Sequence, residues 1–399
     1  MTIVAERLRA IRPSETKAMT ARAAALRGEG ADVITLSQGE PDFDTPAAIR
    51  EAGIRAVHEG RTRYTPVAGI APLRKAIREM FLRDHGLDYA IEQITVGCGA
   101  KQVVFNALFA SLDPGDEVVI PTPCWVSYPE MVALAGGTPV CVPCGEADGF
   151  KLRPAALAAA ITPRTKWLML NSPSNPTGAV YSRAELAAIA EVLRAHPRVH
   201  ILTDDIYEKL VYDAGFATMA AVAPDLFERT LTVNGVSKAD AMTGWRVGYG
   251  AGPLPLIKAM NVIQGQTSSH TSSISQYAAL EAISGGRGHV ADFVAAFRQR
   301  RDLVVDKLNQ AEGLRCRTPQ GAFYVFPSCA DVIGRRTPSG RRIETDTNFA
   351  MYLLEDFAVA VVPGSAFLAS PYLRISYASS LEDLTRACDR IVAACAALS

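Results

Sequence analysis

The chain has 399 residues, and 41 Lys and Arg balance 41 Asp and Glu, so it lacks the basic excess that a nucleic-acid or anionic-membrane surface requires. Hydrophobic residues make up 49% of it, which excludes wholesale disorder, and no apolar run approaches the roughly 18 residues that span a bilayer. The length allows two or three domains around a large core. Met1 to Pro13 mix Glu6, Arg7, Arg9 and Arg12 with short apolar residues, unlike a secretory signal. With cysteines too sparse for a disulfide scaffold, this composition reads as a soluble, cytoplasmic protein.

In chain order, Thr45-Pro46 predicts a helix start, a capping oxygen before a proline, with Ile49, Ala52, Ala56 and Val57 on the buried face. Gly97-Cys98-Gly99-Ala100-Lys101-Gln102 precedes a helix carrying Val104, Leu108 and Leu112. Short apolar runs follow at Glu117–Ile120, Thr138–Val142, Trp167–Leu170, Ile201–Thr203, Leu231–Val233 and Val247–Tyr249. They suit strands buried on both faces of a mostly parallel sheet, and their alternation with helices predicts an α/β layer fold. Ser182-x-x-Glu185 is a capping box. Val290 to Leu308 predicts a long helix whose Gln299, Arg300 and Arg301 mark a solvated face, and Ser380 opens an amphipathic C-terminal helix. Gly334 to Thr347 reads as a loop-like insertion.

Ligands of such sheets bind beyond the carboxyl ends of the strands, so the polar residues just after each apolar run carry the functional information. Gly97 to Gln102 is either a plain turn or an anion cradle at a helix N-terminus. Asn171 to Gly178 is a rigid Pro-containing loop, either a plain strand–turn–helix connection or one that fixes the Asn175 amide. Asp204 would need a cationic or hydrogen-bonding partner where it ends its strand. Lys238 is a surface lysine or, if desolvated, a nucleophile. Arg246 lies eight residues beyond it. Gly248-x-Gly250-x-Gly252 lacks the strand, helix and distal acid of a dinucleotide loop. Cys141 and Cys144 form a Cys-x-x-Cys without a second pair, so the cysteines read as small buried residues and no metal site is expected. His270 reads as a loop residue or as part of a site wall.

In register, Gln38-Gly-Glu-Pro-Asp-Phe-Asp44, Tyr64-Thr-Pro-Val-Ala-Gly69, Trp125-Val-Ser-Tyr-Pro129, Asn175-Pro-Thr-Gly178, Ser237-Lys238, Met242-Thr-Gly-Trp-Arg246 and Arg374-Ile-Ser-Tyr377 carry a family likeness. With Asp113-Pro-Gly-Asp-Glu117, they make the chain resemble the class I, fold-type-I pyridoxal-phosphate aminotransferases. Among these it is most similar to bacterial aspartate aminotransferases, some of which accept prephenate.

The resemblance implies a fold with an N-terminal arm over residues 1–47, a large cofactor domain over 48–290 and a small domain over 291–399. It implies transamination between an amino acid, aspartate or glutamate, and a 2-oxo acid, with pyridoxal 5′-phosphate as cofactor and a homodimer with shared active sites. Lys238 is then the amine that takes the cofactor and moves protons. Asp204 keeps the ring nitrogen protonated, Tyr207 and Asn175 bond the ring's phenolic oxygen, and Trp125 stacks on the ring. Gly99, Ala100, Lys101, Ser237 and Arg246 hold the phosphate, and Tyr64 reaches the phosphate of the neighbouring subunit. Arg374, with Gly39, Trp125 and Asn175, binds the substrate, and Arg12 selects a distal carboxylate.

Departures from the family pattern are Cys124 before Trp125, Ala100 for a frequent glycine, His270, the Gly334–Thr347 insertion and a missing glycine in Glu355-Asp-Phe-Ala-Val. They bear on the substrate rather than the chemistry. Other reactions of the same scaffold, a carbon–sulfur β-lyase, a cyclising elimination or a decarboxylation, are the alternative. A non-catalytic regulator would lack the lysine or carry a basic extension.

Overall fold

The computed structural model describes residues 3–11 and 15–399. Its centre is a seven-stranded sheet among the described residues, with strands β1 (Ile94–Gly97), β2 (Glu117–Thr122), β3 (Thr138–Pro143), β4 (Thr165–Asn171), β5 (His200–Asp204), β6 (Thr230–Gly235) and β7 (Gly248–Ala251). Their spatial order is β1-β7-β6-β5-β4-β2-β3. Neighbours are parallel except for β7, which runs antiparallel to β1 and β6.

Alternate residues on each strand face opposite layers, as a pleated strand requires. Val118, Ile120, Trp167 and Met169 meet the helices Ala100–Ser111 and Leu254–Thr267 through Val103, Val104, Ile257 and Met260. Val119, Leu168, Leu170 and Ile201 meet Leu186, Ile189 and Leu193 of the helix Arg183–Arg194. Ser182 caps that helix: its hydroxyl accepts from the Glu185 N–H, and the Glu185 carboxylate accepts from the Ser182 N–H at 2.8 Å.

A second apolar cluster joins Met19, Ala23, Ile34 and Leu36 to residues from Phe297 to Leu398. It covers a small antiparallel sheet in which Leu373–Ser376 lies between Val362–Pro363 and Tyr324–Val325. The long helix Gly288–Leu308 and the C-terminal helix Leu381–Ala396, capped by Ser380, enclose it.

Several expectations are corrected. Thr45 does not cap the helix Ala47–His58; its hydroxyl donates to Ala241 O at 2.6 Å and accepts from Trp245 Nε1 at 3.0 Å. Val57 is exposed, and Gly53 takes its place on the buried face beneath the Trp245 ring. Strand β3 is an edge strand with most residues partly or fully exposed, so its apolar run is not buried on both faces. Cys141 on it is exposed and Cys98 is half-buried, while Cys144 is buried.

Arg300 and Arg301 are not solvated: they are 8% and 4% exposed. Arg300 forms a two-pronged ion pair with Asp42 at 2.6 and 2.9 Å and lies over the rings of Phe43 and Phe297. Arg301 bonds Asp213 at 2.6 Å and the carbonyl of Pro319. Buried guanidinium groups persist where a forked acceptor meets them.

Ala358 ends the helix Asp346–Phe357 with φ 55° and ψ 41°, the left-handed cap that glycine fills at least cost. Ala358 lies in the Glu355-Asp-Phe-Ala-Val run that lacks the glycine of the family pattern. Ala358→Gly is therefore expected to raise stability by about 1 kcal/mol, measured as a higher midpoint in thermal or urea unfolding of otherwise identical protein.

Candidate active site

A cleft of about 510 Å³ opens where β4, β5 and β6 end, lined by Asn171, Asp204, Tyr207, Ser237, Lys238, Arg246 and Arg374 among others. The topology explains the gathering. Parallel strands deliver their carboxyl ends to one edge, and antiparallel β7 begins at that edge, which brings Arg246 there just before Gly248.

At one end of the cleft the helix Ala100–Ser111 points its N-terminus inward. Gly99 precedes it at φ 82° and ψ 159°, a conformation that L side chains rarely adopt. Glycine is thus required at 99. Ala100 is already helical, so the alanine there carries no strain. Backbone N–H groups at a helix start, the Ser237 hydroxyl and the Arg246 guanidinium form a cradle for a phosphate-sized anion.

Asp204 lies deeper and is buried. Its two oxygens accept from the Tyr128 hydroxyl at 2.7 Å and from the Ile206 N–H at 3.2 Å, both neutral donors. Burial raises its pKa, against the pull of those two bonds and of the Lys238 charge. A cationic ring atom in the cleft would meet the need of this carboxylate.

The Lys238 amine donates to Gly39 O at 2.6 Å. Burial, then the charges of Arg374 and Arg246, bring its pKa down to about 8 against the opposing pull of Glu40 and Asp204. That is a lysine prepared to act as a neutral nucleophile.

Arg374, on the small antiparallel sheet, is 3% exposed. It donates to Asn175 Oδ1 at 3.0 Å and to Ser37 O at 2.5 Å, while its Nε–H has no partner. Its guanidinium lies 4.7 Å from the Tyr324 ring centroid and 4.9 Å from that of Phe367. Among the described residues no carboxylate pairs with it, so an incoming carboxylate would complete its charge.

The expected residues Gly39, Ala100, Lys101, Trp125, Asn175, Asp204, Tyr207, Ser237, Lys238, Arg246 and Arg374 all line this one cleft. Gly99 stands at its rim. Tyr64 does not line it; its ring is 93% exposed and packs edge-on against His270. Arg12 lies outside the described residues. His270 accepts from the Thr65 N–H rather than forming the wall, and Cys124 is buried behind Trp125 in the helix layer. Residues 334–343 of the Gly334–Thr347 segment make a tight antiparallel turn, bridging Arg336 to Arg342, and its last two residues open the helix Asp346–Phe357; none of it lines the cleft.

Three residues of the site carry roles that motif reading missed. Tyr128 supports Asp204 from the helix after Trp125. Asn171 holds the Asn175 loop by accepting from the Asn175 N–H while donating to Asp204 O, both at 2.8 Å. Tyr324 bonds the Tyr207 hydroxyl at 2.9 Å. Tyr128 and Asn171 stood inside segments already singled out; Tyr324 stood only in an apolar run.

A phosphate cradle, a buried carboxylate for a cationic ring atom and a buried lysine of lowered pKa between them fit pyridoxal phosphate. A model of the family described as aminotransferase class I and II matches residues 31–391. The chain is 56% identical over 400 residues to an aspartate/prephenate aminotransferase of Cereibacter sphaeroides, covering 100% of both. It is 55% identical to an aspartate aminotransferase of Rhizobium meliloti, covering 99% of this chain and 97% of the relative. A crystal structure of the aspartate aminotransferase from Rhizobium meliloti superposes with a TM-score of 0.98 at 55% identity over the whole of both chains. That of Thermus thermophilus, with maleate, gives 0.92 at 43% identity, covering 99% of this chain and 100% of the other. The chain belongs to the class I and II aminotransferases, enzymes that depend on pyridoxal phosphate to pass an amino group between an amino acid and a 2-oxo acid.

Proposed function

We propose that the preferred substrates are dicarboxylic: L-aspartate or L-glutamate as donor, oxaloacetate or 2-oxoglutarate as acceptor, with prephenate a further acceptor. The carrying observation is Arg374, a buried guanidinium that has no carboxylate partner among the described residues and faces the same cleft as Lys238 and Asp204. The names of the relatives supply the distal carboxylate, and Arg12 is the residue proposed to meet it.

In this reading Arg374 takes the α-carboxylate as a fork, with Asn175 holding one guanidinium nitrogen in place and Gly39 and Trp125 bounding the substrate. Bound pyridoxal phosphate supplies the electron sink that makes the substrate Cα–H acidic. Lys238 Nζ would hold the cofactor at rest and, once freed by the substrate amine, would carry a proton between the substrate Cα and the cofactor carbon on the other side of the amino nitrogen. Asp204 keeps the ring nitrogen charged, aided by the Tyr128 hydroxyl. Tyr207 and Asn175 donate to the ring oxygen, Trp125 covers the ring face, and Gly99, Ala100, Lys101, Ser237 and Arg246 fix the phosphate.

Two further assignments belong to the same proposal. Residues 48–290 and the body formed by 1–47 with 291–399 close on each other around substrate, as Arg374 stands on the small antiparallel sheet and Gly39 lies against its Tyr324. The working form is a cytoplasmic homodimer, which would give the exposed Tyr64 ring a partner's phosphate to reach. No helix among the described residues is long and apolar enough to cross a membrane.

Three measurements bear on this. In a half-reaction screen that follows the cofactor's absorbance, aspartate and glutamate should react fastest, reversibly with 2-oxo acids, and Arg12→Ala should lose that preference. A wide lead for aromatic or aliphatic amino acids would overturn the substrate assignment, and release of pyruvate and ammonia without an acceptor would indicate a lyase.

Arg374→Lys keeps the charge but not the fork, so kcat/KM should drop by about 100-fold. The loss should fall mainly on KM, with the bound cofactor's spectrum unchanged.

Uptake of the cofactor by the cofactor-free protein should quicken with rising pH and level off above the Lys238 pKa of about 8. The neutral amine is the nucleophile, so protonation below that pH removes it. A rate independent of pH between 6 and 9, roughly the span over which such an amine titrates, would contradict the role.

A further inference from the structure

We propose that Tyr324 is a positioning residue that orients the Tyr207 hydroxyl toward the cofactor's ring oxygen and forms the platform on which Arg374 lies. This rests on the role given above to Tyr207. Tyr324 belongs to the short strand Tyr324–Val325 of the small sheet and is completely buried. Its hydroxyl lies 2.9 Å from the Tyr207 hydroxyl. Its ring sits 4.7 Å from the Arg374 guanidinium. A methyl on Gly39 would stand 2.7 Å from the same hydroxyl, so glycine at 39 leaves the room that hydroxyl fills. One side chain thus touches three groups of the cleft that are distant in sequence.

Proton counting sets the direction of the hydrogen bond. A phenol has a single proton to donate. When Tyr207 gives its proton to the ring oxygen, its own oxygen is left to accept, and Tyr324 must be the donor. That donation polarises the Tyr207 O–H and strengthens its bond to the ring oxygen. Burial raises the pKa of both phenols, so each is a neutral hydroxyl at working pH. Without the Tyr324 hydroxyl, the ring oxygen is less stabilised as an anion and holds a nearby proton more tightly. The pH at which the loaded enzyme changes colour should therefore rise.

The ring has a separable effect. Tyr324→Phe keeps the aromatic face under Arg374, whereas Tyr324→Leu removes face and hydroxyl together.

The test is a pH titration of holoenzyme absorbance for the parent protein, Tyr324→Phe, Tyr324→Leu, Tyr207→Phe and the double Phe variant, with succinate binding measured on each. Tyr324→Phe should raise the midpoint by roughly half a pH unit, with succinate affinity within about twofold of the parent. The double variant should shift no further than Tyr207→Phe alone, because both act through one hydroxyl. Tyr324→Leu should show the same midpoint shift with weaker succinate binding. A shift in Tyr207→Phe with none in Tyr324→Phe, or additive shifts, overturns the hydrogen-bonding role. Unchanged succinate affinity in Tyr324→Leu overturns the platform. No shift in Tyr207→Phe itself defeats the underlying role of Tyr207, and the proposal falls with it.

Discussion

Charge removed from water and left for a ligand to neutralise is the constraint around which this cleft is built. Asp204 is buried with only neutral donors on its oxygens, and Arg374 is buried with only carbonyl acceptors on its guanidinium. Each is costly to keep ionised in isolation. In the proposed function a cationic ring nitrogen would relieve the first and a substrate carboxylate the second. Folding thus leaves two electrostatic demands of opposite sign in one cavity, and the cofactor and the amino acid are molecules whose charges answer them.

Lys238 lies between these demands, and its lowered pKa follows from the same geometry. Burial disfavours its charge first, and the cations that await phosphate and carboxylate add to the effect. Arriving anions would cancel much of that repulsion. In the proposed mechanism the amine would therefore be most readily neutral before ligands bind, when it would take up the cofactor, and more basic afterwards, when it would accept a proton. One residue can serve both purposes because its surroundings change sign between them.

What was legible in the sequence was what local chemistry controls. Ser182 and Ser380 cap their helices because the hydroxyl, the acid three residues on and the apolar period lie within one turn. Strand ends marked Asp204 and Lys238 because a polar residue after an apolar run has few places to go in a parallel sheet. Long-range partners were not legible. Nothing near Arg300 announces Asp42, which is 258 residues away, so two arginines in a row read as a solvated face. Thr45 looked like a cap because its competing partners, Ala241 and Trp245, arrive from another part of the chain. Tyr324 was hidden in an apolar run, since a buried tyrosine contributes its ring to the core and its hydroxyl to a site only once the fold brings Tyr207 beside it. The Ile94–Gly97 strand escaped notice because its short Ile-Thr-Val-Gly run carries a polar residue within it.

The Arg300–Asp42 pair shows how remote packing reaches the chemistry. Asp42 belongs to the segment that also contains Gly39 and Glu40. Gly39 O accepts from the Lys238 amine, and Glu40 accepts from the Thr243 hydroxyl near Arg246. Phe43 extends the anchorage, stacking on Phe293 at 4.1 Å between centroids. A fork-shaped ion pair fixes direction as well as distance, here between the buried Arg300 and an Asp42 that reaches solvent. The segment is thereby pinned from the helix side while its other face meets the lysine. A loop fastened at only one of these points could drift by an ångström, enough to misplace an amine that must reach a single carbon. The buried arginine that looked like surface in the sequence is part of what keeps Gly39 in register with Lys238.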